Sequence, residues 1–151
     1  MVQETKSLAT MHIAVSNALH RRSNLLRRLW EKPAERYEPG YIELKDGTIT
    51  VFGLGRSISA APRIVCFGTS VLDELIFKVE HNQEMVEVCR LYHGERGLFK
   101  DTNTLLVRED GDGLQQVVIE YVLQNLLDSV AFRASPLPGY TPERIDLSMS
   151  T

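Results

Sequence analysis

The 151-residue chain predicts an α+β fold: an N-terminal amphipathic helix, an antiparallel sheet of about five to seven strands, and a C-terminal amphipathic helix. Three observations carry this reading. Apolar residues in 7–31 recur at steps of three and four, the period of one helix face. Between 41 and 108 the period falls to two and short polar segments intervene, which is the pattern of strands joined by hairpins. After the Asp-Gly-Asp-Gly sequence at 110–113 the helical spacing returns.

The first helix is expected to use Leu8, Met11, Val15, Leu19, Leu26 and Leu29 as its apolar stripe, flanked by Ala18, Leu25 and Trp30. His20, Arg21, Asn24, Arg27, Arg28 and Glu31 fall mainly outside that stripe, and Pro33 stops the pattern. In the middle of the chain, Ile42 and Leu44 alternate with Tyr41, Glu43 and Lys45. Asp46-Gly47 then leads into 48–52, a hairpin signal because both turn residues tolerate positive φ. Further strands are expected at 63–67, 75–80, 85–92 and 104–108, with a short one at Leu98-Phe99. The segments 81–83 and 94–97 are short and polar enough for hairpin loops. No intervening segment has the length of a helical crossover, so the sheet is expected to be an antiparallel meander. The second helix is expected from Leu114 to about Phe132, capped by Asp112. Leu114, Val117, Val118, Tyr121, Val122, Leu126 and Val130 form its stripe, and Ile119, Leu123, Leu127 and Phe132 add a second apolar flank. A sheet curled against this helix, as in PH-like barrels, is one form of the order, although no motif ties the chain to that family.

Length and composition bound the rest. A chain of this size with 43% hydrophobic and 25% charged residues is expected to form one globular domain over 1–133 without disulfide or metal support. Residues 134–151, with Pro136, Pro138 and Pro142, read as a flexible tail. The N-terminal residues lack the basic and continuously apolar regions of a signal peptide, and no run has the length of a membrane-spanning helix. Two cysteines, Cys66 and Cys89, are expected as buried reduced thiols. A cytoplasmic location follows.

The motifs that suggest chemistry are weak. Residues 53–59 (Gly-Leu-Gly-Arg-Ser-Ile-Ser) follow a strand as a dinucleotide-binding turn would. The third glycine is missing and Pro62 comes too soon for a phosphate-facing helix, so a flexible loop is expected. Reading 110–113 as a calcium loop would put Arg108 and Ile119 at ligand positions, which defeats coordination. Cys89 and His93 share a strand parity, but two donors do not hold zinc and no spacing supplies the others. Asp73 and Glu74 are adjacent and point to opposite sides of a strand, whereas a general acid and base must converge. No nucleophile motif is present. The sequence therefore assigns no catalytic residue, no metal ligand and no cofactor.

Charge is the remaining signal. Residues 1–36 carry a net +4 and residues 37–151 a net −7. The candidate partner-binding residues are Arg21, Arg22, Arg27, Arg28 and Trp30. The expected function is a non-enzymatic interaction module or accessory subunit that self-associates or binds a protein partner. The basic helix leaves nucleic acid or an anionic surface as the alternative, and a small-molecule pocket between sheet and C-terminal helix is a third reading. Against both stands the ordinary outcome in which the arginines pair with the protein's own acids.

Overall fold

In the computed structural model the described residues are 2–30, 40–68, 70–101, 103–108 and 113–134, without the side chains of 2–7 and 30. Helix α1 (Val2–Trp30) is followed by eight strands: β1 (Gly40–Lys45), β2 (Thr48–Gly53), β3 (Arg56–Ala60), β4 (Arg63–Phe67), β5 (Ser70–His81), β6 (Glu84–His93), β7 (Gly97–Phe99) and β8 (Leu105–Arg108). Helix α2 (Leu114–Leu127) and a 3₁₀ turn (Val130–Phe132) complete the order. The expected α+β class is the observed one. All pairings are antiparallel, in the order β1-β2-β3-β5-β6-β7-β8, with β4 also on β5.

The strands β3 and β4 are two halves of one run. Ile58 pairs with Val79 and Arg63 with Glu74, so the register along β5 continues unshifted across Ala61-Pro62. Proline has no N–H to give to the ladder, and the run breaks there. Beyond the break β4 pairs only with β5. The sheet curls into a half-barrel, and both helices pack against its inner face. Ile49, Val51, Ile58, Ala60, Leu75, Phe77, Val79, Cys89, Leu91 and Leu98 from the sheet join Leu25 and Leu29 of α1 and six apolar residues of α2 in one buried cluster. Helix α2 lies against β1, β2, β6 and β8, bridging the first and last strands of the curl. Gly40 permits the approach at β1, because a Cβ there would collide with the carbonyl of Phe52 and crowd Ile119 and Leu123.

The Asp46-Gly47 hairpin forms as expected, with φ of 51° and 77°. Two further two-residue turns use the same backbone, at Leu54-Gly55 (52° and 73°) and Asn82-Gln83 (52° and 68°). The first of these corrects the reading of 53–59 as a loop. The positive φ pair matches the twist of the flanking strands, so Arg56-Ser57-Ile58-Ser59 continues as β3 with Ile58 inward and Thr50 and Ser59 hydroxyls 2.9 Å apart across the ladder.

Other expectations are corrected in detail. Helix α1 buries Ala18, Leu25 and Leu29, while Leu8 and Leu19 are exposed. Its packing face is rotated by roughly 60° from the sequence stripe, at ~100° per residue. Arg22 lies beside this face, between Ala18 and Leu25 in the chain, and is half-buried. Helix α2 buries Ile119 and Leu123 from the expected flank, and leaves Val117 and Tyr121 half-buried. It ends at Leu127, where Ser129 donates from Oγ to the carbonyl of Leu126 and accepts from the N–H of Ala131. The residue at its N-cap is Gly113, with φ 76° and no side-chain cap; Asp112, Pro33 and the tail beyond 134 lie outside the described residues. Cys66 is exposed, not buried, whereas Cys89 is buried. Among the described residues no helix is long and apolar enough to cross a membrane.

Two predictions follow from this backbone. Gln83 holds a left-handed conformation that costs an L-residue about 1–2 kcal/mol, more than the ~0.4–1 kcal/mol of unfolded-chain entropy that glycine adds. Gln83→Gly should stabilise the protein by about 0.5 kcal/mol, read as a higher denaturant midpoint at unchanged slope; a fall would contradict the turn geometry. Burial, with the Glu87 carboxylate adding to it, pushes the Cys89 thiol up to about 12. At pH 8 Ellman's reagent should therefore label Cys66 rapidly and Cys89 only after denaturation, and the native Cys66→Ser protein should be silent.

Candidate functional site

Two adjacent carboxylates organise the sheet. Successive strand residues face opposite sides, and Asp73 points inward toward α1 while Glu74 points outward, as their adjacency predicts. Both are buried, with 1% and 5% of their surface exposed. A buried carboxylate needs a charged partner and filled lone pairs. Asp73 obtains them from Arg22, which donates from Nε to Oδ2 at 3.0 Å and from Nη2 to Oδ1. The fork geometry makes this pair directional as well as attractive. The hydrogen bonds, and secondarily the charge of Asp73, raise the Arg22 guanidinium above its ordinary pKa. Glu74 is neutralised on the outer face by Arg63 at 3.0 Å and Arg90 at 3.5 Å. His93, also buried, is the cross-strand neighbour of Asp73.

One residue before Arg22, Arg21 donates from Nη2 to the carbonyl of Val71 at 2.9 Å. Its Nε is buried with no hydrogen-bond partner among the described residues. Arg22 and Arg21 therefore hold the middle of α1 to the start of β5. At the other end of α1, Gln115 donates to the carbonyl of Leu29 at 2.9 Å, which satisfies one of the orphan acceptors of that terminus.

Held this way, the N-terminal half of α1 runs past the end of the sheet and leaves an open groove of about 690 Å³. Thr10, Ile13, Ala14, Asn17 and Arg21, one face of the helix at steps of three and four, form its first wall. The opposite wall comes from Phe67 and the start of β5 with Leu72, and from the β6–β7 connection with Gly94, Glu95 and Arg96, joined by Phe99 and Asn103. Ile13 is 60% exposed and Phe67 is also exposed. The walls are fixed from both sides. Phe67 meets Tyr92 edge-on at 5.6 Å, and Gly94 and Gly97 close the β6–β7 turn at 3.0 Å. Asp101 accepts from the N–H groups of Asn103 and Thr104 at 2.8 Å. These bonds hold the Asp101 carboxyl below its usual range, so that acid is spent on its own loop.

The five sequence candidates separate. Arg22 is a clamp on Asp73, and Arg21 lines the groove. Arg27 is exposed and Arg28 half-buried in the last turn of α1, where cations complement the helix dipole. Trp30 closes the helix, and its side chain lies outside the described residues. The structure does not bring the four arginines onto one surface. Sequence reasoning missed Ile13, Phe67 and Arg96. Ile13 stood outside the apolar stripe, which was the available signal that it has no place in the core.

A second open cavity of about 600 Å³ runs along the outer flank of α2, lined by Leu54, Leu106, Val117, Tyr121 and Leu127 among others. The space between α2 and the inner sheet face is filled by core side chains. Among the described residues no group of three or more His, Cys, Asp or Glu is arranged to hold a metal. No family model, curated protein or solved structure matches the chain.

The clamp generates a prediction. Arg22→Met leaves a buried, unpaired carboxylate, and should cost about 2–4 kcal/mol, below the ~3–5 kcal/mol of a fully buried pair because the arginine is partly exposed. Arg22→Met with Asp73→Leu should recover most of that loss. Denaturant midpoints at constant slope read both. A single variant as stable as the parent would contradict the clamp.

Proposed function

We propose that this chain is a protein-interaction module whose groove between α1 and the end of the sheet takes a partner polypeptide. The observation that supports it is the groove itself, lined by the exposed apolar side chains Ile13 and Phe67 from α1 and from the sheet. Single exposed apolar residues are common, but a concave cluster of them rimmed by polar groups marks interaction surfaces. Its open form suits a segment of chain better than a small molecule, which binds where most of its surface is enclosed. The separation of the arginines favours a protein over a polyanion, since a phosphate backbone is read by cations aligned on one accessible face, and Arg22 is already neutralised.

Selection of phage-displayed dodecapeptides on the full chain tests this reading. Enriched peptides should bind one to one in calorimetry, and Ile13→Asp should weaken them by tenfold or more, about 1.4 kcal/mol, without changing the unfolding midpoint. Absence of enrichment, or peptides indifferent to Ile13→Asp, would contradict the groove. A dimer in light scattering that Ile13→Asp converts to monomer would instead assign the groove to a second copy of the chain.

A further inference from the structure

The charges of the groove are asymmetric in what they are used for. Four arginines outside the groove are spent on internal acceptors: Arg22 on Asp73, Arg63 on Glu74, and Arg90 on Glu74 and Glu87. Arg56, the fourth, donates to the carbonyls of Glu80 and Ala131 and lies over the ring of Phe132. The two arginines that line the groove are different. Arg21 gives one donor to a neutral carbonyl and keeps a buried Nε without a partner among the described residues. Arg96 is exposed, and neither it nor Arg21 forms an ion pair with a described residue. Asp101, two residues from the lining residues Phe99 and Asn103, is committed to its own loop. Glu95, on the groove wall, is the single carboxylate among the described lining residues. Residues 8–29 of α1 contain no Asp or Glu at all.

We infer that the groove is selective for acidic–apolar segments, in which a carboxylate of the partner sits against Arg21 and Arg96 while flanking aliphatic or aromatic residues cover Ile13, Phe67, Leu72 and Phe99. The inference rests on the protein-binding reading and adds the chemistry of the partner. A guanidinium with unspent donors in a half-enclosed groove gains more from a carboxylate than from a neutral acceptor, because charge-assisted bonds are the stronger ones and water screens them less there. Glu95 opposes the same ligand, so it limits the affinity of the groove for an acidic partner, and removing its charge relieves that repulsion.

The test uses the full chain and a fluorescein-labelled dodecapeptide alternating Glu with Leu and Phe, against the same peptide with Gln in place of Glu. The acidic peptide should bind roughly tenfold tighter, and the preference should shrink as salt rises. Arg96→Gln, at an exposed position, should remove most of the preference. Arg21→Gln should do so as well, but it also releases the Val71 carbonyl. Glu95→Gln should tighten binding several-fold, a gain that misfolding does not produce. Equal affinities for the two peptides, or no gain with Glu95→Gln, would overturn the inference. Oligouridylate that displaces the peptide and loses affinity with Arg96→Gln would overturn it in favour of nucleic acid. If neither peptide binds while the phage selection yields binders of other composition, the charge inference alone fails. If the selection is also empty, the groove reading fails with it.

Discussion

A carboxylate buried in the concave face of a sheet cannot stay charged alone, and the rest of this structure is arranged around that constraint. Asp73 sits where a hydrophobic residue would otherwise complete the row of Val71, Leu75 and Phe77. Its compensation comes from Arg22, fifty-one positions earlier in the chain. The pair fixes which face of α1 turns inward, and therefore which residues are left outside. With Arg22 committed inward, Ala18, Leu25 and Leu29 follow it into the core, and Thr10, Ile13, Asn17 and Arg21 come to face the end of the sheet. An apolar residue in place of each partner would bind the helix with less directional control. The groove is a consequence of how α1 is seated, since the same seating that brings Arg22 to Asp73 places Ile13 and Arg21 on the groove wall across from Phe67 and Arg96.

Much of the fold is written in local signals. The two helices show their period, Asp46-Gly47 announces its hairpin, and strands from 63 to 108 alternate cleanly enough to be placed. The parts that escape are those decided by distant partners. The Leu54-Gly55 turn is hidden by a leucine in a left-handed conformation that hydrophobic patterning does not anticipate, so β3 reads as loop. The division of β3 from β4 depends on Pro62 against a strand that has not yet appeared in the chain. The face of α1 is misjudged because the stripe centres on Leu8, Leu19 and Leu26, whereas the sheet takes in Ala18 and Leu25 from its flank; that Arg22 also turns toward the sheet is decided by the buried charge on β5. Cys66 reads as buried because β4 has the composition of a central strand; among the described residues its second edge has no strand partner.

The candidate site was legible in part for the same reason. The basic character of α1 is visible in the sequence, and Arg21 and Arg22 are both placed where they matter. What each does is not, since one saturates an internal acid and the other lines a groove one residue away. Ile13, Phe67 and Arg96 come from three separate elements and carry no common motif. Their convergence belongs to the topology.

The central claim is that the Arg22–Asp73 pair seats α1 on the sheet and so builds the groove. Native-state hydrogen exchange resolved along the chain measures this directly, because local opening of one element is seen separately from global unfolding. In Arg22→Met the amides of α1 between about residues 14 and 25 should exchange much faster while β5 and β6 keep their protection. Protection of α1 equal to that of the parent protein would show that the helix is held by its apolar contacts alone, and the account given for the groove would be wrong.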